Sequence, residues 1–174
     1  MGVEAIIEIE NGERVGHGSK AVAGLLSTLL TYCDLKNRKD VSLSQDREIL
    51  QWFSVIADRM NQDVCLLSTI LYWGEMKYTV DEYERYQSEW GKSSMSLMTK
   101  AEFVTFCREL DAKWTDLQLL HRTVNDFIRT LEIINPPDTF WYEREVSLGS
   151  LYDLSRTLIV ALAQGHTRAR FAFF

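Results

Sequence analysis

Proline is nearly missing from this chain, with 2 in 174 residues beside 9 glycines. So few helix breakers leave room for long helices and exclude proline-rich or collagen-like architecture. Histidine is scarce too, at 3 residues. None lies in an HExxH or ExxH arrangement, which removes the common zinc-protease and di-iron bundle patterns. The 3 cysteines, Cys33, Cys65 and Cys107, make none of the short paired spacings of metal or redox motifs. They lie on or beside apolar stripes and read as reduced core thiols. With no basic-then-apolar leader, that places the protein in the cytoplasm. Apolar runs stop short of the roughly eighteen residues a spanning helix needs, so no membrane segment is expected. Phosphate loops are lacking: Gly16-His17-Gly18 has neither the third glycine nor the spacing, and with Ser19 it does not make a nucleophile elbow. Positive charge is in deficit, 19 Lys and Arg against 25 Asp and Glu, for a net charge of −6. That balance disfavours bulk binding to nucleic acid or anionic lipid and suits a basic protein partner. Nothing in the motifs calls for a metal or a cofactor.

What is present is ordinary globular material, 46% apolar and 25% charged, in a chain long enough for one core. A single domain over residues 1–174 is expected, since no repeat, low-complexity block or interior linker divides it. The fold class read from the patterns is α+β, predominantly α. Two long antiparallel helices, about residues 45–77 and 100–133, form the frame, with further helices and a small antiparallel sheet from an N-terminal hairpin and C-terminal strands.

The first long helix rests on Ile49, Phe53, Ile56, Met60, Val64, Leu67 and Leu71, which recur every three or four residues without losing phase. Ser42 with Gln45, or Ser44 with Asp46 and Glu48, supplies its start. Asn61-Gln62-Asp63 is its weak point, because these side chains compete for backbone hydrogen bonds and would split it if a break occurs. The second rests on Phe103, Cys107, Leu110, Trp114, Leu117, His121, Val124, Ile128 and Leu131, a seam with a mean step of about 3.5 residues. A Thr99–Glu102 capping box opens it and Pro136-Pro137 ends it.

Around this frame, Asn11-Gly12 marks a hairpin after the alternating Ala5, Ile7 and Ile9. A two-residue turn would set Glu10 opposite Glu13 and Ile9 opposite Arg14. Val22 to Cys33 form another helical stripe, followed by a basic cluster from Lys36 to Lys39 that suits a helix C-terminus or an anion contact. A Thr79–Glu82 box opens a short helix closed by Gly91, and a serine-rich loop follows from Lys92. Thr139 to Glu143 have strand propensity. Ser147 or Ser150 caps a last helix that reads as buried on most sides. Arg168 to Phe174 are either a strand with Phe171 and Phe173 inward and the arginines outward, or a displayed motif.

His121 is the catalytic candidate, the one ionisable residue in the second seam, where a histidine acts as a base, a pH switch or a register-setting polar contact. Tyr83, Tyr86 and Trp90, which share one face inside an acidic rim, are partner-binding candidates together with Arg168, Arg170 and Phe174. The function these features favour is a non-enzymatic interaction module, an adaptor, inhibitor or immunity-type regulator with an acidic, aromatic-containing surface and a protein partner; a homodimer is compatible. The alternative is an enzyme with a spatially assembled site and His17, His121 or His166 as base. A third reading is nucleic-acid contact through Arg156, Arg168 and Arg170.

Overall fold

A computed structural model describes residues 4–37, 48–72, 78–91, 97–141 and 143–173. The proposed caps at Ser42 to Asp46, the basic residues Arg38 and Lys39, most of the serine-rich loop and Phe174 lie outside them.

The fold is α+β and predominantly α. Strands β1 (Ala5–Ile9), β2 (Arg14–Ser19), β3 (Ile70–Tyr72), β4 (Thr115–Asp116) and β5 (Arg168–Phe173) make one sheet in the order β2-β1-β5-β3, with β4 also paired to β5. All pairings are antiparallel except β3 with β5. The helices are α1 (Lys20–Asn37), α2 (Glu48–Arg59), α3 (Tyr83–Trp90), α4 (Lys100–Ala112), α5 (Leu117–Ile134) and α6 (Arg144–Ala163).

The C-terminal segment is the sheet's central strand. Ala5, Ile7 and Ile9 of β1 face Phe173, Phe171 and Ala169 of β5, and all six enter a core filled by α1, α2, α5 and α6. Ile6 and Ala172, on the other face, are covered by Leu110 and Phe106 of α4. A strand buried on both sides needs apolar residues at successive positions, which is why Phe-Ala-Phe is not left in water. One expectation fails here. Arg170 points inward rather than outward, because its register partner is Glu8.

Both long helices are broken, although each stripe keeps its phase. The first stops at Arg59, where the amides of Asn61 and Gln62 donate to Asp126 Oδ2 at 2.6 and 2.8 Å. Asp63 then caps a 3₁₀ turn, Val64–Ser68, by accepting from the Cys65 amide. Val64 and Leu67 still reach the same core as Phe53 and Ile56, so the stripe survives the loss of the helix. The second breaks at residues 113–116, where β4 joins β5 and Asp116 caps α5 through the Leu119 amide at 2.7 Å. Its seam is divided: Phe103 and Cys107 belong to a second core, Leu117 to Leu131 to the first.

Four smaller readings also change. The hairpin loop is residues 10–12, with Gly12 at φ 83°, so Arg14 pairs with Glu8 and the clash of Glu10 with Glu13 never arises. Residues 138–140 form a 3₁₀ turn, not a strand: the Pro137 and Asp138 carbonyls accept from Phe140 and Trp141, turning both rings into the core. Cys33 and Cys65 are not thiols but a disulfide, because the break after α2 brings Cys65 against α1 with the Cα atoms 5.8 Å apart. Finally, α6 begins at Arg144 without a serine cap and buries one side only. Among the described residues it is the one helix long and apolar enough to cross a membrane.

Candidate functional site

The feature that stands apart from the main core is a lobe made of α3, α4 and the segments flanking them. Its interior is aromatic. Phe103, fully buried, touches Tyr86, Tyr83 and Tyr78 with ring centroids 5.0, 5.2 and 5.6 Å apart. The hydroxyl of Tyr83 donates to the Met98 carbonyl and that of Tyr86 accepts from the Met98 amide, each at 2.9 Å. These bonds staple the segment entering α4 onto α3. Thr99 and Glu102 complete a reciprocal capping box at the start of α4, as the sequence pattern requires.

Acidic side chains ring this interior. Residues 78–116 hold eight acids (Asp81, Glu82, Glu84, Glu89, Glu102, Glu109, Asp111, Asp116) and five bases (Arg85, Lys92, Lys100, Arg108, Lys113), a net of 5 − 8 = −3. Arg85 bridges Glu82 and Glu89 at 2.6 and 3.0 Å. The Thr79 amide and then Arg85 hold the Glu82 carboxyl below the usual range, and the Tyr78 hydroxyl does the same for Glu89. Burial, helped by Glu89, pushes the Tyr78 phenol up to about 12. The carboxylates are therefore charged at neutral pH. Between Glu102 and Glu109 an open groove has half-buried Phe106 and Met98 on its floor.

The lobe meets the sheet through an ion pair. Arg170, 4% exposed, donates from Nε to Glu8 Oε2 at 3.0 Å and from Nη1 to the Leu110 carbonyl at 3.0 Å. Trp114 covers the guanidinium at 4.0 Å, with Arg168 on the same ring at 5.8 Å. A cleft of about 320 Å³ opens beside them, lined also by Glu10, Asp111 and Cys107. Its groups are occupied or quiet: Glu10 accepts from the amides of Thr167 and Arg168, and burial raises the Cys107 thiol.

Of the partner-binding candidates, Tyr86 is buried while Tyr83 and Trp90 are half-buried, all packed with Phe103 and Cys107 of α4. Arg168 is exposed and Arg170 is committed to Glu8. His121 sits between α5 and α6, apart from the lobe. Its Nε2 is 2.8 Å from Asn125 Nδ2, so the amide donates and the ring proton belongs on Nδ1. Ser155 lies 3.4 Å from the same nitrogen but gives its proton to Asn125 Oδ1 at 2.8 Å. The hydroxyl is thus not activated by the imidazole, and burial pulls the ring's pKa down, keeping it neutral. His17 lies on β2 and His166 near Glu10, so no two histidines converge. Among the described residues no three metal-ligating side chains cluster.

Sequence reasoning missed Glu8 and Trp114. The signal available for Glu8 was a carboxylate inside an otherwise apolar strand. No protein-family model matches the chain, and no curated protein or solved structure shows significant similarity to it.

Proposed function

We propose that the protein is a non-enzymatic interaction module whose acidic α3–α4 lobe receives a basic protein partner. The observation that carries this reading is the net charge of −3 over residues 78–116 around an apolar floor, with stapled aromatics beneath that hold the surface rigid. Charge of one sign steers a basic partner, and the half-buried Phe106 and Met98 supply area to desolvate. The adaptor, inhibitor and immunity-type roles all use such a surface. The competing enzyme reading lacks an activated nucleophile at His121, and the nucleic-acid reading loses Arg170 to Glu8.

Affinity capture from the native host tests this. Wild-type protein should retain a basic partner at stoichiometric level, released by salt. A Glu109→Lys/Asp111→Lys variant, changed only at exposed positions, should lose it while melting normally. Capture unaffected by the reversal would place the interface elsewhere. A cytoplasmic location belongs to the same reading, and the Cys33–Cys65 bond pulls against it, since disulfides persist mainly in oxidising compartments. The thiol state of the protein taken from its host decides the compartment.

A further inference from the structure

The outer side of α6 carries a second surface, independent of the lobe. Val146, Gly149, Asp153, Arg156, Val160 and Ala163 follow one another at steps of 3, 4, 3, 4 and 3, the spacing of a coiled-coil seam. The seam faces solvent. Val146 is 50% exposed, Val160 54% and the neighbouring Ile159 51%. The opposite side of the helix, through Leu151, Leu154, Leu158 and Ala161, fills the main core. Val146, Ile159 and Val160 are thus left exposed on a helix whose inner face is already satisfied, with the charged pair Asp153 and Arg156 between them.

We propose that this stripe pairs with the same stripe of a second copy of the chain, the two α6 helices running antiparallel about a two-fold axis. The step pattern reads the same in both directions, so reversing one helix about the midpoint between Leu154 and Ser155 keeps every seam residue opposite another. Asp153 then meets Arg156 of the second copy, twice. Gly149 meets Val160, and Val146 meets Ala163. In the single chain the side chains of Asp153 and Arg156 bond to each other at 3.1 Å, and both are largely exposed. In the pair they form a four-membered charge cluster across the axis.

Gly149 supports this arrangement. A glycine inside a helix costs about 1 kcal/mol relative to alanine. A Cβ added there would meet nothing within 4 Å, so the chain's own packing does not require it. Facing Val160 of a second copy, it leaves the hollow into which that side chain fits. The seam is about 26 Å long at 1.5 Å per residue, enough for a helix pair crossing at the shallow angle of interlocked ridges. A lipid surface fits the stripe less well, because Asp153 and Arg156 sit at its centre, where the bilayer penalises charge most.

Sedimentation velocity on the wild type and on Asp153→Arg, Arg156→Asp and the double exchange Asp153→Arg/Arg156→Asp tests the proposal, with circular dichroism to verify that each variant is folded. Wild type should be a dimer. Each single exchange sets like charges face to face twice and should weaken association by about tenfold or more. The double exchange restores opposite charges and should recover the dimer. Gly149→Leu should also abolish it while leaving the monomer folded. A wild type that remains monomeric at the highest soluble concentration, or a dimer indifferent to the single exchanges, overturns the proposal. So does a monomer that co-sediments with phosphatidylcholine vesicles.

Discussion

Replacing Arg170 by methionine removes a hydrogen-bond donor from a carboxylate buried inside the protein. Glu8 is wholly buried, and its Oε2 takes the Arg170 Nε proton at 3.0 Å. Removing one member of a buried pair costs about 3 to 5 kcal/mol, since the other keeps its desolvation penalty and loses its compensation. Further loss follows, because Arg170 also donates to the Leu110 carbonyl and lies under Trp114. Glu8→Leu should cost a similar amount by removing the carboxylate that the buried guanidinium faces. The double variant Glu8→Leu/Arg170→Met replaces both charges by apolar groups, and such exchanges are often neutral or stabilising. If the singles each cost about 4 kcal/mol and the double about 1, the coupling is 4 + 4 − 1, about 7 kcal/mol, well above ordinary contacts. Urea unfolding followed by circular dichroism measures all three. Singles below about 1 kcal/mol, or a double equal to their sum, would refute the reading that the pair is a desolvated unit joining α4 to the sheet.

The Cys33–Cys65 bond closes a sequence separation of 32 residues, for which loop-closure entropy gives about 3 to 4 kcal/mol; reduction, or Cys65→Ala, should lower the unfolding free energy by that order. Under native oxidised conditions Cys107 should not react with a thiol reagent, and after denaturation without reductant it alone of the three should label. Glu10 is held at about 2, first by the Thr167 amide. Its lowered pKa stabilises the fold above the unfolded value near 4.5, and the gain is lost as pH falls from there through about 2. Glu10→Gln should flatten that limb of the pH–stability curve. For His121 the folded pKa is depressed by burial, so stability should fall as pH drops below the ordinary histidine range near 6.5, and His121→Gln should remove the slope. Leu67→Ala and Leu117→Ala, both emptying main-core volume, should each cost about 2 to 5 kcal/mol in thermal or urea melts.

Some local signals hold in the structure and others do not: the Thr99–Glu102 box and the C-terminal strand form, whereas the serine cap of the last helix, the strand at Thr139 to Glu143 and the two-residue hairpin turn do not. The Thr99–Glu102 box and the strand character of the C-terminal residues all lie within a few positions of their cause. Composition left the tail open between a buried strand and a displayed motif, and the structure makes residues 168–173 the strand. The first helix break was legible as a weak point at Asn61-Gln62-Asp63 but its cause was not, and the second break was not legible at all. Asn61 and Gln62 leave the helix because Asp126, 65 and 64 residues away, accepts their amides. At the second break the unbroken seam through Trp114 argued for continuity, where the structure has Asp116 capping α5. A seam says which side of a chain is apolar and not which core that side enters; here one seam serves three clusters of buried residues. Glu8 could not be interpreted at all without Arg170, 162 residues on. The aromatic face of Tyr83, Tyr86 and Trp90 was visible as a face, while its cover, α4, was assigned to the wrong frame.

The sheet separates the two surfaces proposed above. Face one, with Ile7 and Phe171, is packed by the core that includes the inner side of α6. Face two, with Ile6 and Ala172, is packed by α4. A dimer formed through the outer side of α6 therefore leaves both α3–α4 lobes open, and it carries two acidic surfaces where the monomer carries one. Two linked sites bind an immobilised basic partner more tightly than one because the second contact is intramolecular. Asp153→Arg, which breaks the seam without touching the lobe, should then lower retention on a densely coated basic-peptide surface while leaving one-to-one affinity for the free peptide unchanged. Equal loss on both would mean that the α6 stripe itself contacts the peptide. No change on the dense surface would mean that the two lobes cannot reach it together.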